Sequence, residues 1–439
     1  MKKTVIMIGI VLLAAQLRVA AQQDGPWTLE KCIGYALSQN IQVRKTELSN
    51  QRLELSAEQT KAQRLPSASA SISQNFNWSK STATGSSALT GSNGSSYSVS
   101  SGITVFNASR ISNLIKQAEL DIQSGILNLE TTKESISLNI LNAFLQVLYA
   151  EENVKNSQKQ IESTSSQLNL ASERLAMQVI SQSDYAQVKS QLASEKLSLA
   201  NAESQLAIAK VSLMQLMELP VTADFQVANP DLSGSLNQKR VPDVKSVYES
   251  ALAIKPQIKN AAVNKEIAAL DEKVAKAGYF PTLSASAGIS SSYSSVGTDN
   301  YFTQVNDAIR PSAGFSISIP IYQRKQVKTS VETAKLGYKD AELSETDTKN
   351  QLRKSIEQAC QDVTSAQIEY EASVEKYNAT LESSTLSDEK FRQGIINSVD
   401  YLVSKTNLIV AESQLLQSKF NLIFSYKILD FYSGIPFTL

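Results

Sequence analysis

A hydrophobic position recurs every seven residues through one long stretch of this chain, from about residue 107 to residue 178. Six successive members of the repeat are Ile140, Val147, Val154, Ile161, Leu168 and Leu175. Such a repeat keeps one seam of a helix against a neighbouring helix, as in coiled coils. The stretch contains no proline and only one glycine, Gly125. We therefore predict a helix of roughly 70 residues, on the order of 100 Å long.

The same pattern occurs again about 216 residues further along the chain, which predicts two structural repeats, 22–220 and 243–439, joined by a linker over 221–242. The long helices are predicted at 107–178 and 323–393, and each is followed by a return helix, at 183–218 and 398–432. The return helices also carry apolar residues seven apart, and the two sets are Tyr185, Leu192, Leu199, Leu206 and Leu213, and Tyr401, Leu408, Leu415, Leu422 and Leu429.

Ahead of each long helix the period changes from seven to two, which is typical of β-strands with one apolar face. In 67–78, for example, alanine and larger residues alternate with serine and asparagine. We predict β-hairpins at 67–106 and 282–322, each with a polar loop, the first of which is Ser79–Ser96. The predicted apolar face includes Ile72, Ile103, Ile289 and Ile317, and the opposite face is almost wholly small and uncharged.

Strands of this length suit a bilayer crossing in a barrel. Aromatic residues near the strand ends fit a membrane-interface girdle, and they are Phe76, Trp78, Tyr97, Phe106, Tyr279, Phe280, Tyr293 and Tyr322. A soluble sheet that packs on a helical core is the alternative interpretation. Four strands cannot close a barrel, so a membrane protein of this kind must pool strands with copies of itself, about eight from two subunits or twelve from three.

Composition narrows the chemistry that the chain can support. Its 42 Lys and Arg balance 42 Asp and Glu, so nucleic acid is not an expected partner. Histidine is absent, and we predict no catalytic, cofactor or metal site. Residues 1–21 have the charge, apolar run and small cleavage-site residues of a secretory signal peptide. Nothing in the sequence fixes whether Cys32 and Cys360 are bridged.

The turn between the second long helix and its return helix carries the most specific local signal. Residues 391–402 read Phe-Arg-Gln-Gly-Ile-Ile-Asn-Ser-Val-Asp-Tyr-Leu, and residues 174–185 form a similar turn with Gln178 in place of the glycine. With the duplicated helix–hairpin–helix plan, these turns resemble those of the TolC family of outer-membrane channel-tunnels. The resemblance covers about residues 27–437.

The resemblance implies a trimer with a twelve-stranded barrel and a helical tunnel, in the outer membrane and periplasm of a Gram-negative bacterium. Family members work with a periplasmic adaptor (membrane fusion protein) and an inner-membrane RND or ABC transporter, in efflux or type I secretion. The expected gate and docking residues, among which we predict Arg–Asp pairs, are Arg174, Asp184, Tyr185, Phe391, Arg392, Gly394, Asp400 and Tyr401. The alternative function is a poreless periplasmic coiled-coil adaptor or adhesin.

Overall fold

The computed structural model describes residues 25–80, 89–221, 225–230 and 243–437. The predicted signal peptide and most of the predicted linker lie outside these ranges. Contacts divide the chain into two units. The first consists of Met1–Lys45, Glu130–Lys255 and Asn350–Leu439, and the second of Thr46–Leu129 and Pro256–Lys349.

The described elements follow the same order in the two halves of the sequence, apart from two short additions to the second half, the 3-10 turn Ala277–Tyr279 and the helix α7. In the first half they are α1 (Leu29–Gln39), α2 (Ile41–Ala62), β1 (Ser67–Lys80), β2 (Leu89–Phe106), α3 (Arg110–Ala176) and α4 (Gln182–Leu216). In the second half they are α5 (Val244–Ile254), α6 (Pro256–Lys276), β3 (Thr282–Ser294), α7 (Tyr301–Asp307), β4 (Arg310–Ser318), α8 (Gln326–Arg392) and α9 (Ser398–Ser433).

Both long helices begin three residues later than their predicted starts at 107 and 323. Two consecutive residues with positive φ precede each helix, Ala108 and Ser109 before α3 and Arg324 and Lys325 before α8. Left-handed backbone cannot continue a right-handed helix. A left-handed corner therefore delays the first helical turn at both sites.

The buried face of α3 in the first unit includes a second set of positions, three residues after the predicted apolar ones. These positions in α3 hold small side chains, all buried, which are Ala143, Ala150, Ser157, Thr164 and Ala171. Ile140 and Val147 are fully buried as predicted, whereas Leu168 and Leu175 are only half-buried. The seam of this helix thus depends more on small residues towards its C-terminal end.

The second unit contains one antiparallel sheet with strand order β1-β2-β3-β4. Hydroxyl pairs cross its polar face between β1 and β2, at 3.1 Å for Ser69 with Ser100 and 2.7 Å for Ser71 with Ser98. The opposite face is apolar and largely open, and Ile72 and Phe315 are 77% and 80% exposed. The predicted division of the strands into a polar and an apolar face is confirmed.

The loops differ from the predictions. Residues Leu89–Ser96, predicted as part of a loop, continue β2 and pair with β1, because ladder hydrogen bonds do not depend on apolar side chains. At the other hairpin β4 begins at Arg310 and ends at Ser318, before Pro320, whose missing N–H cannot extend a ladder. The early start of β4 adds one charged residue to the polar face, Arg310.

The short helix α7 occupies the connection between β3 and β4 and packs on the apolar face of the sheet. The hydroxyls of Tyr97 and Tyr301 are hydrogen-bonded, the rings of Tyr293 and Tyr301 lie 4.9 Å apart, and Ser291 donates to the carbonyl of Val305. The helix covers only part of that face. Within the described ranges, none of the helices combines the length and apolarity that a bilayer crossing requires.

Candidate functional site: the helix tips

The two turns that join long helices to return helices have the same backbone design, and both belong to the first unit. Gln178 and Gly394 have φ values of 59° and 74°, in the left-handed region that ends many helices. The following amides close each turn, with Val179 N–H bonded to Arg174 O and Ile395 N–H to Lys390 O, both at 2.9 Å. The glycine of the second tip is therefore required by conformation, and Gln178 adopts the same conformation despite its Cβ.

A side-chain cap begins each return helix. Ser181 accepts from the amide of Asp184 at 3.1 Å while Asp184 accepts from the amide of Ser181 at 3.2 Å, which forms a capping box at α4. Asn397 accepts from the amide of Asp400 at 2.8 Å at α9. Both predicted aspartates thus lie in first helical turns, where the helix dipole favours a negative charge.

Contacts between the tips connect the two repeats. Arg174 donates to the carbonyl of Phe391 at 2.9 Å and to that of Arg392, so it caps the end of α8. Its guanidinium also lies 5.8 Å from the centre of the Phe391 ring. Ser398 donates to a carboxylate oxygen of Asp184, and this bond, with the one from Ser181, lowers the pKa of Asp184.

The predicted Arg–Asp pairs between the tips do not form within the chain. Arg174 binds two backbone carbonyls at the end of α8 instead, that of Arg392 and that of Phe391, which also accepts from the amide of Gly394. Arg392 pairs with Asp388, one turn earlier on its own helix, at 2.8 Å. Between the two tip turns, the polar contacts are therefore the arginine cap and the contacts of the Ser398 hydroxyl with Asp184 and with Gln187 Oε1.

An aromatic pair supports the second tip from within. The rings of Phe391 and Tyr401 stack 4.6 Å apart with an interplanar angle of 14°, and both side chains are buried. Burial raises the pKa of the Tyr401 hydroxyl. Tyr185, which occupies the equivalent position in the first tip, is half-buried, and among the described residues no ring stack or side-chain hydrogen bond involves it. The two tips are thus alike in backbone and different in packing.

A buried charged cluster lies one helical turn behind the second tip. The ammonium of Lys405 donates to Thr164 and, at 3.3 Å, to Gln167, and it lies 4.0 Å from a carboxylate oxygen of Glu195. The Lys405 and Glu195 side chains are only 8% and 4% exposed. Burial lowers the pKa of Lys405, although Glu195 acts in the opposite direction. The second oxygen of Glu195 has no hydrogen-bond partner among the described residues.

This cluster borders a cavity of about 550 Å³ between α3, α8 and α9. Polar and charged side chains line much of it, and they include Ser166, Gln167, Ser384, Asp388 and Lys405. Near the tip, therefore, polar contacts around an open space hold the return helix α9, rather than a continuous apolar seam. Sequence reasoning missed this cluster, and its one visible signal is a carboxylate, Glu195, three residues after the seam position Leu192.

The tip turns allow a test with reciprocal substitutions. Gly394→Ala should weaken the second turn by about 1 kcal/mol, because a Cβ is disfavoured at positive φ. Gln178→Gly should strengthen the first turn by a smaller amount, since glycine also gains freedom in the unfolded chain. Hydrogen exchange measures the stability of each turn through the protection of the amide that closes it, Ile395 in the second turn and Val179 in the first. Unchanged protection of Ile395 in Gly394→Ala would contradict this account.

The Lys405 cluster predicts that substitutions of Lys405 and Glu195 have non-additive effects on the free energy of unfolding. Lys405→Met should cost about 3–5 kcal/mol in the free energy of unfolding, because it leaves Glu195 buried without a counter-charge. Glu195→Met should also destabilise the protein, whereas the double variant should cost less than the sum. Denaturant unfolding in detergent measures the free energy of unfolding of the wild type, both single variants and the double variant, which together form a double-mutant cycle. Additive costs would show that the two charges do not interact.

The lowered pKa of Lys405 adds a pH dependence with a defined sign. Between that lowered pKa and the ordinary value of 10.5, the unfolded chain binds a proton that the folded chain does not. The free energy of unfolding contributed by Lys405 therefore rises with pH through this interval. Lys405→Met should abolish the rise, and an identical pH profile in wild type and variant would contradict the assignment.

Comparison with known proteins supports a family assignment on most of the chain. The family model described as "Outer membrane efflux protein" matches residues 32–218 and 247–432, once in each predicted repeat. Outer membrane protein TolC of Escherichia coli (strain K12) is 26% identical over 310 residues, which are 66% of this chain and 60% of that protein. An uncharacterized Haemophilus influenzae protein is 22% identical over 235 residues, 54% of this chain and 50% of its own length. The matches thus span one half to three fifths of the length of these relatives.

The fold is that of a solved channel protein. A crystal structure of CusC, reported in connection with transmembrane channel formation, has a TM-score of 0.80 at 15% identity and covers 95% of this chain and 96% of its own. The family and the fold are those of channel proteins rather than enzymes. This distinguishes the chain from the adaptors and adhesins that remained as alternatives. Its two family matches and its four-stranded, mainly helical fold place the chain in the outer membrane efflux protein family, to which TolC belongs.

Proposed function

We propose that this protein is the outer-membrane channel-tunnel of a tripartite efflux or type I secretion system, located in the outer membrane of a Gram-negative bacterium and extending into the periplasm. The observation that carries the proposal is the sheet, which has a largely open apolar face on one side and a hydroxyl-lined face on the other. An apolar outer face suits lipid, and a polar inner face suits a water-filled passage.

The strand count supports a homotrimer. The edge strands β1 and β4 each have one side without a partner strand among the described residues, and unpaired backbone groups are not tolerated in lipid. Three copies would close a twelve-stranded barrel with β4 of one chain beside β1 of the next. Eight strands from two copies would leave an interior filled by side chains, whereas twelve leave a passage.

The channel acts as a passive duct. The sequence contains no histidine and no nucleotide-binding loop, so an inner-membrane partner supplies the energy. The proposed partners are an RND or ABC transporter and a periplasmic adaptor that binds the helix tips, with outer-membrane lipid around the barrel. The tips form the gate, because the polar contacts of Arg174, Asp184 and Lys405 are the ones that separating helices would break.

The barrel orientation predicts opposite results for neighbouring substitutions. Ile72→Arg places a charge on the lipid face and should cost about 2–4 kcal/mol near the bilayer midplane, so trimer in the outer-membrane fraction should fall. Ser71→Arg, its matched control, points into the lumen and should assemble. Membrane fractionation and crosslinking measure both. Equal loss of trimer in the two variants would show that the faces are assigned wrongly, and wild-type protein free in the periplasm would overturn the proposed function.

The proposed gate predicts a rise in conductance when the bond between the tips is removed. Wild-type trimer in a planar bilayer should conduct ions weakly without any cofactor. Asp184→Ala and Ser398→Ala should each raise the conductance, because both lose the bond from Ser398 to Asp184. The double variant should rise by less than the sum of the single effects, although Ser398→Ala also loses the contact with Gln187 Oε1. Asp400→Ala tests the further expectation that a second tip aspartate helps closure.

Ser181→Ala is the matched control for this series. It removes the helix cap, at a cost of about 1 kcal/mol, but leaves the bond from Ser398 to Asp184 in place. Conductance should therefore change less than in Ser398→Ala at equal trimer abundance. If none of the aspartate and serine variants alters conductance, the tip does not gate the channel and remains only a proposed docking surface.

A further inference from the structure

The four described strands contain only two charged residues, and these lie on opposite faces of the sheet. Lys80 ends β1 and shares the apolar face with Ile72. Arg310 begins β4 and is paired with Ser290, Ser290 is paired with Ser98, and Ser98 is paired with Ser71. Directly paired residues share a face, and the hydroxyls of Ser71 and Ser98 are bonded on the polar one. Arg310 is thus the one charge on the polar face of these strands.

The row that contains Arg310 crosses the middle of the sheet. Ser71 is four residues, or about 14 Å, from the first residue of β1. Beyond Ser71, β1 continues for nine residues to Lys80. Arg310 is the first residue of β4, but its row lies within the lengths of β1, β2 and β3, so the residue is level with the wall that these strands form. A charge at this depth is tolerated on a lumen face and costly on a lipid face.

The two acidic residues nearest to Arg310 in the sequence lie in the connection between β3 and β4. Asp299 and Asp307 belong to the connection that contains α7, and α7 packs on the apolar face through Tyr301 and Val305. No ion pair or hydrogen bond of the Arg310 side chain is found among the described residues, and its side chain is exposed. The guanidinium donors remain available to a ligand in the passage.

We infer that Arg310 of three subunits forms a cationic ring inside the barrel, which binds multivalent anions such as polycarboxylates and polyphosphates and favours anionic cargo. The inference rests on the proposed trimeric channel. Strand spacing and tilt give a twelve-stranded barrel a radius of roughly 12 Å. The screening length is about 8 Å at physiological salt, so three long arginine side chains directed inward keep the centre of the passage within their field.

Arginine and lysine supply the same positive charge, but only arginine binds an anion through two parallel hydrogen bonds. Its planar fork binds a carboxylate or phosphate through two parallel hydrogen bonds, which a lysine ammonium cannot do. Either residue supplies the positive charge that concentrates anions in a narrow space, by about 10–10³-fold. The positive charge should therefore contribute most to the binding of a small anion in the passage, and the two parallel hydrogen bonds of arginine should strengthen that binding.

Current block by citrate, which carries three carboxylates, tests the ring. Purified trimer is placed in a bilayer of neutral phosphatidylcholine, citrate is added on the barrel side, and the half-blocking concentration is measured. Arg310→Ser and Arg310→Gln should each raise that concentration at least about tenfold, the lower limit for such focusing. Arg310→Lys should retain most of the block, and added KCl should relieve it.

Lys80→Ser is the matched control, because it removes a cation from the other face of the same sheet. Its half-blocking concentration should equal that of the wild type. Equal citrate block in wild type, Arg310→Ser and Arg310→Gln, all of which conduct, would overturn the ring and leave the channel intact. Loss of block in Lys80→Ser as well would also overturn it. A wild type that does not conduct would instead contradict the proposed function.

Discussion

The structure of the first unit depends on a seam of small side chains. In α3 the positions three residues after the large apolar ones are alanine, serine or threonine, and all are buried. Small residues at these positions let neighbouring helix backbones lie close together, which packs a long helix without a wide apolar stripe. The surface of such a helix stays polar, and only its seam has to be hydrophobic.

The same constraint determines where the helices are held weakly. In the middle of α3 the seam contains Ile140, Phe144 and Val147, which are buried, whereas near the tip it contains Ser157 and Thr164. A buried hydroxyl must be hydrogen-bonded, and Thr164 accepts its bond from Lys405 on the return helix α9. Hydrogen bonds depend steeply on distance and angle, so a small movement of a helix breaks contacts of this kind. The hydrogen bonds that would break and re-form when a return helix moves therefore lie mainly near the tip.

Much of this fold was predictable, because two periodicities, seven and two, are visible in the side chains themselves. The duplicated helices, the hairpins and the division of the sheet into two faces all followed from them. The small seam was missed because Ala150 and Thr164 carry no strong apolar signal. The tip partners were also missed, since local sequence places Asp184 and Arg174 at a turn but does not show that their partners are Ser398 and the carbonyl of Phe391, more than 200 residues away.

The duplication explains why these contacts form in one direction only. The two tips have equivalent backbones, yet the positions that match Ser398 and Phe391 in the first repeat are Gln182 and Leu175. The first repeat therefore supplies the arginine and the aspartate, and the second supplies the carbonyls, the hydroxyl and the aromatic stack. Each of these tip contacts is therefore made once per chain, and the described residues show no pseudo-symmetric counterpart of either. Divergence between the repeats has thus produced contacts between the tips in which the two repeats play different roles.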